Sequence, residues 1–277
     1  MNKLTEAPIG EKIWIAAHRG RFGGCIPENT LDAFELAIRS GADIVETDVA
    51  KLADGTFVLF HDSSPERMLG IQGNMRDFTY EQIKDLQLRN AIGGPSGRTV
   101  NTLDEFLRYM KGKCLINLDK CADYLDEVYE KVLEYDMEEQ ILLKNPVPCQ
   151  KDIAWLKKSG YRPTYIPVVG SDRDVEGLYQ VLGEIPVQIV EIFIHSEQDY
   201  LISEEFIANM HARGIKLWMN ALCLGKDNNL CADRGDDSSL LQSPEEGWGF
   251  MVQKGMDIIQ TDWPVELGRY LSEIGKR

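Results

Sequence analysis

Positive charge is scarce in this chain. Lysine and arginine number 30 against 45 aspartates and glutamates, a formal net charge of −15. That balance argues against a nucleic-acid backbone or an anionic membrane surface as a general partner, because both repel surplus carboxylates. It leaves room for a small phosphorylated substrate held by a few local cations. No apolar run approaches the roughly 18 residues needed to span a bilayer, so no transmembrane segment is expected. The first twenty residues carry Lys3, Glu6, Pro8, Gly10 and Glu11 and lack the apolar core of a signal peptide. Cysteine is sparse, at positions 25, 114, 121, 149, 223 and 231, with no C-x-x-C pair. That pattern argues against a disulfide scaffold and a structural zinc site. Free thiols in a reducing, cytoplasmic setting are the expectation, although Cys223 and Cys231 flank one loop and could pair in an exported protein. No G-x-G-x-x-G follows an early strand, which leaves a dinucleotide-binding sheet little support.

What is present is ordinary globular composition, 27% charged and 43% apolar over 277 residues. Strand-like apolar runs fall at 13–17, 43–48, 114–118, 140–143, 164–168, 188–194, 215–219 and 257–260. Amphipathic stretches such as 31–39 and 124–135 lie between them, and Leu31, Phe34 and Ile38 share one helical face. Gly41, Gly160, Gly214 and Gly255 each precede a strand, where a left-handed helix cap is wanted. Residues 41–48 match residues 255–262 at Gly, Asp, Ile, Thr and Asp. Recurrent strand–helix units without a clear linker predict an α/β fold, a (β/α)8 TIM barrel, formed by 1–277 as a single domain. An open doubly wound sheet is the alternative. Two stretches break the pattern. Residues 63–101 are glycine-rich around a helix-like piece at 79–88 and read as an inserted segment. Residues 222–246 form a long polar, acidic loop after the seventh strand, where barrel loops shape the mouth.

Chemistry-bearing residues gather at expected strand ends. His18-Arg19-Gly20 follows the first strand, and Glu46 and Asp48 end the second. Residues two apart on a strand share a face. Asp54-Gly55 reads as a two-residue hairpin turn, and that register sets Asp48 opposite His61. Paired carboxylates can hold a hard divalent cation. Arg19 can neutralise phosphate oxygens, and two histidines can exchange protons with an attacking and a departing oxygen.

His18-Arg19-Gly20, Pro27-Glu28-Asn29-Thr30, Glu46-x-Asp48, Asp54-Gly55 and His61-Asp62, in this order, resemble the glycerophosphodiester phosphodiesterase family. Thr102-Leu103-Asp104-Glu105, Trp218 and Thr261-Asp262-Trp263-Pro264 extend the resemblance along nearly the whole chain. It implies a barrel with a small insertion and a metal-dependent hydrolase that releases an alcohol and glycerol 3-phosphate from a small glycerophosphodiester. His18 and His61 would be the catalytic acid and base, and Arg19 would bind the phosphate. Glu46 and Asp48 would bind magnesium or calcium. The family's third ligand, a glutamate, is replaced by Asp119, and its phosphate-binding lysine by Cys121. A thiol cannot supply that fixed charge, so Lys144, at the end of the following strand, is expected to substitute. Lys120 should point away from Asp119.

Other positions carry two readings. Asn29 or Thr30 reads as a helix cap, and so does Asp262 before Pro264. Trp218 is either packing or an apolar wall for the substrate. His195 and His211 carry no motif. Rival functions are a related phospholipase-type barrel acting on a lipid phosphodiester and a weakened barrel that only binds a phosphodiester or a partner. Head group and oligomeric state are not fixed by the sequence.

Overall fold

The computed structural model describes residues 3–147, 150–159, 163–225 and 228–277. Nine strands form one sheet: β1 (Trp14–Ala17), β2 (Ile44–Lys51), β3 (Phe57–Leu59), β4 (Leu115–Asp119), β5 (Ile141–Pro146), β6 (Thr164–Val169), β7 (Ile189–Ile192), β8 (Lys216–Asn220) and β9 (Ile258–Thr261). All but β3 are parallel, and β1 pairs with both β2 and β9, so eight strands close into a barrel. The eight expected strands all appear, with ends shifted by a few residues. Helices such as Leu31–Arg39, Leu103–Met110 and Glu204–Ala212 lie outside the barrel.

Alternation along each strand builds two apolar layers. Ile15, Val45, Ile116, Leu143, Val190, Leu217 and Ile259 face the helices. Their neighbours Ala16, Ile44, Leu142, Ile166, Ile189, Trp218 and Ile258 fill the barrel interior, joined by Leu4 from the N-terminal turn. Each fully buried large side chain contributes roughly 1.5–3 kcal/mol by leaving water. Above this apolar layer the inward positions turn polar: Glu46, Asn117, Lys144, Glu191, Asn220 and Gln260 are all buried. The barrel core therefore ends in a charged layer at the C-terminal ends of its strands.

The segment after β3 has its own small core, in which Leu52, Val58, Phe60, Met68, Met75, Ile83, Leu88 and Val100 pack together. The expected helix at 79–88 is confined to Tyr80–Ile83, because Leu88 instead exchanges backbone bonds with Ser96 and Arg98. The long loop after β8 is not irregular throughout. It holds the helix Asp236–Leu241 and a π-helical turn, Glu245–Gly249.

The hairpin turn also differs from expectation. Leu52 and Thr56 close it (Leu52 N to Thr56 O, 2.9 Å), so three residues, not two, make the loop. Gly55 alone takes a positive φ, +86°, whereas a two-residue type I′ turn needs it at both positions. The Asp54 carboxylate accepts from Thr56 N and from Tyr80 N instead, which ties the turn to the inserted segment. The register slips by one, pairing Val49 with Leu59 and setting Phe60 opposite Asp48 (Phe60 N to Asp48 O, 3.0 Å). Gly41, Gly214 and Gly255 have positive φ as expected, and Gly160 lies outside the described residues. Cys25, Cys114, Cys121, Cys223 and Cys231 are free thiols, so Cys223 and Cys231 are not joined. Cys149 lies outside the described residues. Among the described residues no helix is long and apolar enough to cross a membrane.

Gly20 combines a left-handed backbone with a close approach to another backbone segment. Its φ is +81°, and a Cβ there would lie 2.7 Å from the backbone carbon of Ala33. Gly214, with φ +76°, faces open space. Gly20→Ala should therefore cost about 2 kcal/mol or more, against about 1 kcal/mol for Gly214→Ala. Thermal melts of the two variants check this, and equal losses would contradict the close approach at Gly20.

Candidate active site

The polar layer at the barrel mouth is built strand by strand. Glu46 and Asp48 share the inner face of β2, and register sets Glu46 beside Asn117 and Asp48 beside Asp119 of β4. Oxygens of Glu46, Asp48 and Asp119 lie within 4.8 Å of one another. Burial pushes the Glu46 carboxyl well above its ordinary pKa, and the charges of Asp48 and Asp119 push it further. Three crowded carboxylates, two of them almost fully buried, are costly unless a cation joins them. Their all-oxygen donor set suits a hard divalent ion.

Backbone shape brings Arg19 to the same point. Arg19 takes a left-handed φ of +53° directly before Gly20, and its backbone N–H donates to Glu46 Oε2 at 2.8 Å. Its guanidinium donates to Glu28 Oε1 at 2.8 Å and lies 3.4 Å from Asp48 Oδ2. The Nε atom is buried without a hydrogen-bond partner among the described residues. Thr30, not Asn29, caps the helix Leu31–Arg39, its hydroxyl accepting from Ala33 N. Asn29 has a different task. Its amide donates to Asp48 Oδ2 at 2.9 Å, and its oxygen accepts from Asp48 N and Thr47 Oγ1. It thus fixes both the carboxylate and the backbone of Asp48.

Each candidate histidine is held through Nδ1 by an aspartate. His18 Nδ1 lies 2.9 Å from Asp262 Oδ1, so Asp262 is not the expected cap; that position belongs to Trp263. Asp262 is itself held by its N–H donating to Asp236 Oδ2, and Asp236 also accepts from Trp248 and Thr261. Burial pushes the Asp236 carboxyl up to about 7, although three donors favour its ionised form. His61 Nδ1 lies 2.7 Å from Asp62 Oδ1. Burial acts to raise Asp62, but Arg67 and His61 outweigh it and hold that carboxyl at about 2. The slipped hairpin register means that His61 does not sit directly across from Asp48. Its loop reaches the site by another route, because Lys120, next to Asp119, donates to His61 O at 2.8 Å.

Lys144 turns inward. Its amine lies 3.1 Å from Asp119 Oδ2 and 3.3 Å from Glu191 Oε2. Burial alone would favour the neutral amine, but Asp119, Glu191 and Glu46 outweigh it and raise the pKa above the usual lysine value. Lys144 is therefore a fixed positive charge. Asn220 donates to Glu191 Oε1 at 2.7 Å and accepts from the Trp218 indole. Trp218 is fully buried among the interior residues of the barrel. An apolar wall for a substrate needs an open face, so Trp218 is a packing residue that also anchors Asn220. Cys121 is fully buried, its thiol pushed up to about 12 by burial and by the Asp119 charge. His195 and His211 stand apart from this layer; His211 pairs with Asp257, and His195 lies between the carbonyls of Gly170 and Asn229.

Sequence reasoning missed Arg67, Glu191, Asn220 and the site contacts of Asn29 and Asp262. Glu191 carried a signal, a charge at an inward position within the apolar strand Ile189–Ile192, and Asn29 and Asp262 lay within the motifs quoted above.

Comparison with known proteins bears on the family and the fold. Residues 18–146 match the model of the glycerophosphoryl diester phosphodiesterase family, and residues 165–271 match a domain of unknown function. A glycerophosphodiester phosphodiesterase of Bacillus altitudinis is 33% identical over 140 residues, 47% of this chain and 57% of that protein. One from Caldanaerobacter subterraneus subsp. tengcongensis is 31% identical over 142 residues, 48% of this chain and 58% of that protein. The chain thus spans less than two thirds of the length of these relatives. A crystal structure of a glycerophosphoryl diester phosphodiesterase from Parabacteroides distasonis has the same fold, with TM-score 0.75 and 20% identity. The likeness covers 98% of this chain and 91% of that one. An Oleispira antarctica phosphodiesterase, solved with sn-glycerol-3-phosphate, has TM-score 0.65 and 19% identity, covering 94% of this chain and 97% of that one. Residues 18–146, which carry the carboxylate cluster, Arg19 and both candidate histidines, are thus the part of the chain that is similar to the glycerophosphodiester phosphodiesterase family.

Proposed function

We propose that this protein is a phosphodiesterase that uses a divalent cation to hydrolyse glycerophosphodiesters to glycerol 3-phosphate and an alcohol. The observation that carries the reading is the convergence of Glu46, Asp48 and Asp119 within 4.8 Å at the mouth, beside Arg19 and Lys144. We read 1–277 as one catalytic unit, with 63–101 inserted after the hairpin. The small separate core of that segment supports this division.

Glu46, Asp48 and Asp119 would hold the cation, magnesium or calcium. When bound, it supplies positive charge against the phosphate oxygens. Arg19, already aligned by Glu28 and by its contact with Asp48, binds the phosphate from one side. Lys144 supplies the second fixed charge, in place of the lysine that Cys121 displaces. Charge on the phosphate oxygens grows as the fifth P–O bond forms, and prepositioned cations stabilise it there without reorganising. Asp262 and Asp62 fix the ring orientation of His18 and His61, leaving each Nε2 free to face the substrate. One histidine takes the proton of the attacking hydroxyl as its oxygen bonds to phosphorus. The other gives a proton to the alcohol oxygen as the old P–O bond breaks. A neighbouring hydroxyl of the glycerol is well placed for such an attack, because an internal nucleophile gains strongly from proximity. Water then opens the cyclic phosphate by the same exchange in reverse.

Three results test this reading. Thorough chelation should abolish turnover, and Glu46→Gln should weaken magnesium or calcium binding in a calorimetric titration; undiminished hydrolysis after chelation contradicts the cation's role. The rate should show a bell-shaped pH dependence, with His18→Ala and His61→Ala each slower by a hundredfold or more, on the order expected for a lost acid or base. A near-normal rate for either variant would displace that histidine from the mechanism. Lys144→Ala should cut turnover by about tenfold or more without weakening cation binding. Loss of binding with normal turnover at saturating cation would make Lys144 a support for Asp119 rather than a phosphate ligand.

A further inference from the structure

A cavity beside the site has no role in the chemistry above. The β1–α loop folds on itself through paired bonds between Gly23 and Ile26. The inserted segment leans on it, Ala91 N donating to Gly24 O and Arg98 to Cys25 O. Between the two lies a cavity of about 310 Å³, near the lower end of small-molecule sites, which run from about 300 to 1,000 Å³. Phe22, Ile26, Pro27 and Met68 give it apolar lining, and Arg89 and Asn90 add polar groups.

Its floor connects directly to the reacting groups. Glu28 and Arg67 line the cavity. Glu28 Oε1 accepts from Arg67 Nη2 at 2.7 Å and from Arg19 Nη1 at 2.8 Å. Arg67 Nε donates in turn to Asp62 Oδ2 at 2.6 Å, and Asp62 holds His61. A phosphate on Arg19 with one ester oxygen towards His61 thus has this cavity as the neighbouring space for its departing arm.

Charge decides what that arm carries. Arg67 and Arg89 line the cavity with Glu28, an excess of one positive charge on a chain whose net charge is −15. Burial acts to raise Glu28, but the guanidiniums of Arg67 and Arg19 outweigh it and hold its carboxyl below the ordinary range. Glu28 is therefore saturated by arginines and offers nothing to a cationic head group. Arg89 donates to Glu66 O at 3.2 Å and forms no ion pair among the described residues. An exposed guanidinium without a carboxylate partner is suited to a carboxylate or phosphate, which it can bind through two parallel N–H groups.

We infer that this cavity receives the alcohol arm of the diester and that Arg89 selects arms bearing an anionic group. The inference rests on the phosphodiesterase reading and adds a substrate class to it. The test is initial-rate kinetics of the cation-loaded wild type, Arg89→Ala and Arg89→Lys. The substrates are glycerophosphoglycerol phosphate, glycerophosphoglycerol and glycerophosphocholine, with anionic, neutral and cationic arms. The wild type should show its highest kcat/KM on the anionic arm. Arg89→Ala should raise KM for that substrate about tenfold, as loss of a charge-assisted hydrogen bond would. It should leave kcat and the other two KM values close to wild type, and Arg89→Lys should restore part of the difference. Equal effects on all three arms, or a wild-type preference for the choline arm, would overturn the inference while the phosphodiesterase reading stands. Failure of the wild type to cleave any of the three would overturn that reading, and the inference with it.

Discussion

Three carboxylates at the top of a closed barrel are the constraint around which the rest is arranged. Glu46, Asp48 and Asp119 are brought together by strand register and held within 4.8 Å. Such a cluster is unfavourable in isolation, because each buried charge has lost water and repels the other two. The surrounding residues offset this from several directions. Lys144 approaches Asp119 from β5, Arg19 approaches Asp48 from the end of β1, and the Arg19 backbone N–H reaches Glu46. Asn29 donates to Asp48 from the start of the first helix. The cluster remains incompletely compensated, as the upward displacement of Glu46 shows. That residual imbalance is what a divalent cation would relieve.

The same economy of charge runs outward through the inserted segment. Arg67, from a short helix after β3, bonds both Glu28 and Asp62. One guanidinium thereby positions the partner of Arg19 and the partner of His61. On the opposite side Asp236 fixes Asp262, which fixes His18. The two histidines are thus supported by separate loops, one from the insertion and one from the segment after β8. Both loops leave the C-terminal ends of strands, where barrel loops are free to vary without disturbing the core. The apolar layer beneath, from Ala16 to Ile258, supplies the rigidity that lets these side chains keep their geometry.

Much of this was legible in the residues themselves. Alternating apolar runs and helical periodicity are local properties, so the eight barrel strands could be read with ends only slightly displaced. The carboxylates, arginine and histidines could be singled out because charged residues at strand ends contrast with apolar runs. Lys144 was legible for the same reason, as a charge at the end of the strand after the one that carries Asp119. The hairpin was misread because Asp-Gly is compatible with two loops that differ by one residue. Choosing between them required the contact from Asp54 to Tyr80, which lies 26 positions away in the chain.

The sequence by itself determined the barrel, the order of its strands and the identity of the acidic, basic and imidazole groups at its mouth, because periodicity and side-chain chemistry are written residue by residue. Only the tertiary structure decided which of these groups touch. That Asn29 serves Asp48 rather than its own helix, that Asp262 serves His18 rather than the helix after it, and that Trp218 lies within the core all depend on approaches between distant segments. Closure of the sheet, with β1 meeting both β2 and β9, sets those approaches. No local propensity encodes them, since the energy of each contact appears only when both partners have been brought together.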